Sequence, residues 1–143
     1  MISGGFDPLH PGHIAYIEAA ARLGFVLVVL STDDQLRKKD ELMGFPKHRE
    51  PILYEVRKEV ILWGLKGRGV VVPNVDKDIT CQESLRLYEP DIFAKGGDTW
   101  TAENLPERAI CQELGIEIVF GVGGHDKPFS SSKLGRPYNT ASH

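Results

Sequence analysis

Six apolar residues in a row, Phe25-Val26-Leu27-Val28-Val29-Leu30, constrain this chain more than any other feature. A strand with one wet face alternates apolar and polar positions. An unbroken run belongs to a strand covered on both faces, as in a parallel sheet flanked by helices. Ile116-Glu117-Ile118-Val119-Phe120 and Ile92-Phe93-Ala94-Lys95 read likewise, and Val70-Val71-Val72 is a shorter case. Helical patterns lie between them. Ile14, Ile17 and Ala21 form an apolar face opposite Glu18 and Arg22, with Gly24 as the stop. Further helices are expected over 52–65, with Gly67 just beyond, over 82–87, closed by Pro90, and over 106–114, closed by Gly115.

Strand–helix alternation of this kind predicts an α/β fold: a Rossmann-like, doubly wound parallel sheet of about five strands in three α/β/α layers, with right-handed crossovers. Met1-Ile2-Ser3 supplies the first strand, expected at the centre. The 143 residues fit one domain over 1–143. Gly135 and Pro137 halt any last helix, and residues 135–143 are expected to form a flexible tail.

Charge and composition narrow the function. Hydrophobic residues make up 41% and charged residues 26%, a globular profile. With 17 Lys and Arg against 20 Asp and Glu, the net charge of −3 argues against a nucleic-acid partner. No apolar run approaches the ~18 residues of a membrane span, and no signal peptide is apparent, so the cytoplasm is expected. Cys81 and Cys111 lie far apart outside any metal-type cluster and read as reduced thiols on helices.

The chemistry concentrates in Gly4-Gly5-Phe6-Asp7-Pro8-Leu9-His10-Pro11-Gly12-His13, which joins the first strand to the first helix. This is the sheet edge where open α/β folds bind ligands. Gly4 and Gly5 let backbone approach a ligand closely. Pro11 suits the first helical position, so His10 and His13 stand at the helix head on one face. Exposed amides and the helix dipole favour an anion there, and two imidazoles can donate to phosphate oxygens. No cysteine or third histidine lies nearby in sequence, so no metal site is assigned.

Gly5-Phe6-Asp7 followed by His10-Pro11-Gly12-His13 resembles the GxFDxxHxGH signature of the cytidylyltransferase-like nucleotidyltransferases. Ser31-Thr32-Asp33-Asp34 with Lys38 and Lys39 resembles the family segment after the second strand that carries a phosphate-binding lysine. Arg57 resembles the family's helical arginine. Lys95-Gly96-Gly97-Asp98 is similar to the KGGD of heptose-phosphate adenylyltransferases. Ser130-Ser131-Ser132-Lys133 resembles the closing serine motif. The family continues from that motif into a helix, whereas this chain meets Gly135 and Pro137.

The resemblance implies an acceptor phosphate oxygen attacking the α-phosphorus of a nucleoside triphosphate, with pyrophosphate leaving in line. Positioning and charge stabilisation then carry catalysis. His10, His13 and one of Lys38 or Lys39 would be catalytic. Gly4, Gly5, Phe6, Asp7, Gly12, Arg57, Ser130, Ser131, Ser132 and Lys133 would bind the nucleotide, and Lys95 and Asp98 the acceptor. The two glycines beside Asp98 would leave room for a sugar ring. Mg²⁺ would arrive with the triphosphate, and a homodimer is expected. Alternatives stand beside several roles: Asp7 as a brace of the turn, Arg57 as a helix ion pair with Glu50, Glu55 or Glu59, and Lys95 as a solvent-facing strand residue. His125 and Lys127, in the loop after Gly121, Gly123 and Gly124, could touch phosphates.

The acceptor leans to a sugar 1-phosphate such as heptose 1-phosphate with ATP. Glycerol 3-phosphate with CTP is the alternative within the enzyme class, and a non-catalytic nucleotide-binding module is the alternative outside it. A dinucleotide-binding Rossmann domain fails on sequence, because Gly4-Gly5-Phe6-Asp7 is not G-x-G-x-x-G.

Overall fold

The computed structural model describes residues 1–44, 50–97 and 99–124. Among them, ten elements follow in order: β1 (Ile2–Gly4), α1 (Pro11–Ala21), β2 (Val26–Leu30), α2 (Asp33–Leu42), α3 (Tyr54–Leu65), β3 (Gly69–Pro73), α4 (Gln82–Tyr88), β4 (Ile92–Gly96), α5 (Arg108–Leu114) and β5 (Glu117–Val122).

β2 pairs in parallel with β1 on one side and β3 on the other, and β4 pairs in parallel with β5. Two backbone bonds join the halves beside β1: Ala94 N–H donates to the Met1 carbonyl at 2.9 Å, and the Met1 nitrogen donates to the Ile92 carbonyl at 2.6 Å. The order is therefore β3-β2-β1-β4-β5, and the winding reverses between β1 and β4. A reversal under constant right-handed crossovers sends helices to opposite faces. Ile17 and Ala20 of α1 and Ile61 and Leu65 of α3 accordingly share one core with Val28 and Leu30. Leu85 of α4 and Ile110 and Cys111 of α5 share the other with Val29 and Phe93. The alternation of Val28, Val29 and Leu30 between the two cores is why β2 reads as a continuous apolar run.

Three local expectations shift. Phe25 precedes the first ladder pair, Val26 with Gly69, and is 70% exposed. Ile14 is 56% exposed, because the inward stripe of α1 runs through His13, Tyr16, Ile17 and Ala20, at i, i+3, i+4 and i+7. α3 begins at Tyr54 rather than Ile52, since Ile52 has both backbone groups bonded elsewhere: its N–H to Asp7 and its carbonyl to Arg57. α2 is an element the apolar pattern does not announce. It is set by its start: Thr32 and Gln35 form a reciprocal capping box, and Asp33 and Asp34 occupy the positive first turn.

Candidate active site

Doubly wound sheets bind ligands where the winding reverses, which here is the carboxyl ends of β1 and β4. The turn leaving β1 is tightly built. Phe6 is buried with a left-handed backbone (φ 48°), a conformation that costs a bulky residue roughly 1–3 kcal/mol. Its ring is held against His13, with centroids 4.8 Å apart. The glycine pair also serves this packing. A Cβ on Gly5 would lie 2.6 Å from Leu36 Cδ2, and one on Gly4 would lie 3.3 Å from the Phe6 ring.

His10 is the N-cap of α1. Its Nδ1 accepts the N–H of Gly12 at 3.1 Å and of His13 at 3.4 Å, and Pro11 at the first helical position has no N–H to satisfy. The amides expected to meet an anion directly are therefore covered by an imidazole. An Nδ1 that accepts leaves the ring proton on Nε2, an assignment made from the bonding pattern. Gly12 makes room for this arrangement: a Cβ there would lie 2.9 Å from His10 Cε1 and 3.0 Å from Nδ1.

The structure brings the two histidines together. Their rings stack with centroids 3.8 Å apart and planes 18° from parallel. Tyr16, one turn on from His13, donates its hydroxyl to the Ala94 carbonyl in the middle of β4. Burial of that hydroxyl pushes the ionisation of the phenol upward.

Arg57 is 1% exposed and braces the edge from beneath. Its guanidinium donates to the carbonyls of Ile52 (2.6 Å), Gly5 (2.9 Å) and Ser31 (2.8 Å), and to Asp33 Oδ1 (2.6 Å). Four of its five N–H groups are thus bonded inside the protein. Its ion-pair partner is Asp33, across the fold, and not a glutamate of its own helix, because the guanidinium points inward. Asp7 is likewise buried and accepts the Ile52 N–H at 3.2 Å, the bracing alternative for that residue.

The lysines stand apart from this cluster. Lys38 and Lys39 are exposed on α2, where the Lys38 ammonium donates to the Lys77 carbonyl at 3.1 Å. Lys95 ends β4 with its ammonium 5.3 Å from the Phe93 ring centroid and 5.0 Å from that of Trp100. Asp98, Ser130, Ser131, Ser132 and Lys133, like His125 and Lys127, lie outside the described residues.

Several buried or paired polar residues carry little local signal in the sequence. Tyr16 carried one usable signal, its i+3 spacing from His13. Asp33 stood in a quoted motif without a partner, since its arginine comes 24 residues later. Glu107 had no local signal. It is buried, and its Oε1 accepts the Cys81 N–H at 3.1 Å and lies 3.4 Å from the Cys81 sulfur. Both thiols are buried and free. Burial, reinforced by Glu107, pushes Cys81 well above its usual range and Cys111 up to about 11. Among the described residues, no group of three or more His, Cys, Asp or Glu is placed to hold a metal ion, and no helix is long and apolar enough to cross a membrane.

Comparison with known proteins agrees with this geometry. The family model described as cytidylyltransferase-like matches residues 1–136. A FAD synthase of Korarchaeum cryptofilum is 36% identical over 83% of this chain and 78% of its own length. A D-beta-D-heptose 1-phosphate adenylyltransferase of Bordetella bronchiseptica is 34% identical over 82% of this chain and 68% of its own. The bifunctional protein HldE of Desulfatibacillum aliphaticivorans is 33% identical, but the match spans only 23% of that longer protein. The crystal structure of a lipopolysaccharide core biosynthesis protein from Thermoplasma volcanium superposes with a TM-score of 0.62 over 88% of this chain and 96% of that one. At 24% identity that likeness speaks to the fold. The parallel α/β sheet, the capped histidine turn and the family match over 1–136 together make this chain a member of the cytidylyltransferase-like nucleotidyltransferase family.

Proposed function

We propose that this nucleotidyltransferase moves an adenylyl group from ATP to the phosphate of a small acceptor, a sugar 1-phosphate of the heptose 1-phosphate type. The observation that carries this reading is the stacked His10–His13 pair at the head of α1. With Nδ1 of His10 capping the helix, its proton sits on Nε2 as a hydrogen-bond donor, backed by the partial positive charge of the helix head. Such a donor stabilises charge that develops on the α- and β-phosphates.

An acceptor phosphate oxygen attacks the α-phosphorus, the bond from that phosphorus to the bridging oxygen breaks, and the electron pair leaves on pyrophosphate. One of Lys38 or Lys39 would neutralise the far side of the phosphates, its long side chain reaching from the exposed face of α2. Ser130, Ser131, Ser132 and Lys133 would hold the β- and γ-phosphates, and Lys95 and Asp98 the acceptor. Gly4, Gly5, Phe6, Asp7, Gly12 and Arg57 would shape the nucleotide site from behind. Mg²⁺, carried in on the triphosphate, would supply charge neutralisation.

ATP is favoured over CTP because the names of both long-matching relatives imply an adenylyl group, in FAD and in the adenylyltransferase. The sugar phosphate is favoured by Lys95-Gly96-Gly97-Asp98 and by the heptose 1-phosphate relative. A second reading, a flavin phosphate as acceptor, is favoured by the FAD synthase relative at 36% identity. The test is pyrophosphate release with ATP or CTP against heptose 1-phosphate, FMN and glycerol 3-phosphate. ATP with heptose 1-phosphate should give the highest kcat/KM, and a higher value for any other pair replaces this reading.

A homodimer is part of the same proposal. The outer face of α3 presents Val56, Val60 and Trp63 to solvent, with Trp63 82% exposed, and such apolar stripes mark association surfaces. Light scattering should give twice the chain mass, and a monomer at assay concentration removes the claim.

A further inference from the structure

We infer that Tyr16 is a positioning residue: it holds β4 at a set distance from the His10–His13 pair and so governs how tightly the acceptor binds. The inference rests on the proposed placement of the acceptor at the end of β4. Two segments meet on this one side chain, and a third packs against its backbone. From the turn after β1, the Phe6 ring lies 16° from parallel to it, with centroids 6.5 Å apart. From β4, the Ala94 carbonyl accepts its hydroxyl, and a Cβ on Gly96 would lie 3.1 Å from its Cδ1. Beyond β5, a Cβ on Gly123 would lie 2.9 Å from its Cα. The missing side chain of Gly96 leaves room for the ring of Tyr16.

The division of labour follows from where each group is anchored. His13 and Tyr16 share the inward stripe of α1, so the histidine pair moves with the tyrosine. The Ala94–Lys95 peptide belongs to β4 and is tied to α1 by the phenolic hydroxyl, a directional bond that ring packing alone does not replace. Removing the hydroxyl should loosen the β4 end relative to the histidines and leave nucleotide contacts unchanged.

The test is Tyr16→Phe in the full chain, which keeps the ring and its packing. The KM for the acceptor that wild type uses should rise about three- to tenfold, as loss of one hydrogen bond implies. The Kd for ATP should stay within about twofold, and hydrogen exchange should quicken at 94–97. Gly96→Ala, which pushes on the same ring, should move the acceptor KM in the same direction. An unchanged acceptor KM in Tyr16→Phe, or an equal change in ATP affinity, overturns the inference. If wild type turns over no acceptor, the proposed function fails by itself. Exchange then decides the positioning role: faster exchange at 94–97 in Tyr16→Phe supports it, and unchanged exchange overturns it.

Discussion

Nδ1 of His10 accepts the backbone N–H of Gly12 at 3.1 Å, and the missing side chain of Gly12 is what lets that imidazole lie over the helix head. The relationship gives His10 two separable jobs, one for each ring nitrogen. Nδ1 caps α1, and Nε2 is left as the donor that the proposed function directs at the phosphates.

Replacing His10 with asparagine should separate those jobs. Asparagine is a good N-cap, so His10→Asn should keep stability within ~0.5 kcal/mol of wild type, whereas His10→Ala should lose about 1 kcal/mol. Both should lose at least ~100-fold in turnover, the usual effect of deleting a donor to transition-state charge. Urea denaturation and a pyrophosphate assay read the two effects. Wild-type turnover in His10→Asn would remove Nε2 from the mechanism.

Gly12→Ala sets helix propensity against a collision. Propensity alone favours alanine by up to ~1 kcal/mol in a helix interior. Here the new Cβ would lie 2.9 Å from His10 Cε1, closer than real Cβ contacts come, and the ring must swing off its cap. Stability and turnover should both fall. A variant more stable than wild type, with full activity, would show that the imidazole does not need this position.

Arg57 should be irreplaceable by lysine. A single ammonium cannot reproduce four bonds to three carbonyls and Asp33, so Arg57→Lys should be clearly destabilised. Arg57→Met leaves three carbonyls and the partly exposed Asp33 without their donor and should cost about 1–3 kcal/mol. Denaturant titration decides it, and a loss below ~1 kcal/mol for either variant contradicts the bracing role.

The thiols make a pH-dependent prediction. Cys111 rises from an ordinary 9.0 to about 11 on folding, so the folded state holds the proton more tightly than the unfolded chain. The contribution is whole below 9.0 and is lost as pH climbs to about 11, where the unfolded chain ionises first. Cys81 shifts in the same direction, so stability should fall through that alkaline window. At pH 8 a thiol reagent should modify neither residue in the native protein and both in denaturant. Rapid native labelling would contradict the burial.

Local sequence was enough to determine the layered α/β fold and the place of the histidine turn. Apolar period, glycine stops and the Pro11-Gly12 helix start are short-range signals, and each element expresses them where it stands. The pairing of His10 with His13 was legible for the same reason, because residues three apart at a helix start share one face. Tertiary structure decided the rest. Which nitrogen of His10 accepts and which keeps the proton depends on amides that are placed only once α1 has formed. Arg57 could not be told from a surface arginine until β1, β2 and α2 converged on it. The inward stripe of α1, led by His13 and Tyr16 in place of Ile14, depends on how the helix is rotated over β4 and β5. Gly96 likewise takes its meaning from Tyr16, 80 positions earlier in the chain. Contacts between segments so far apart have no local signature, because what selects them is the space left when the layers close.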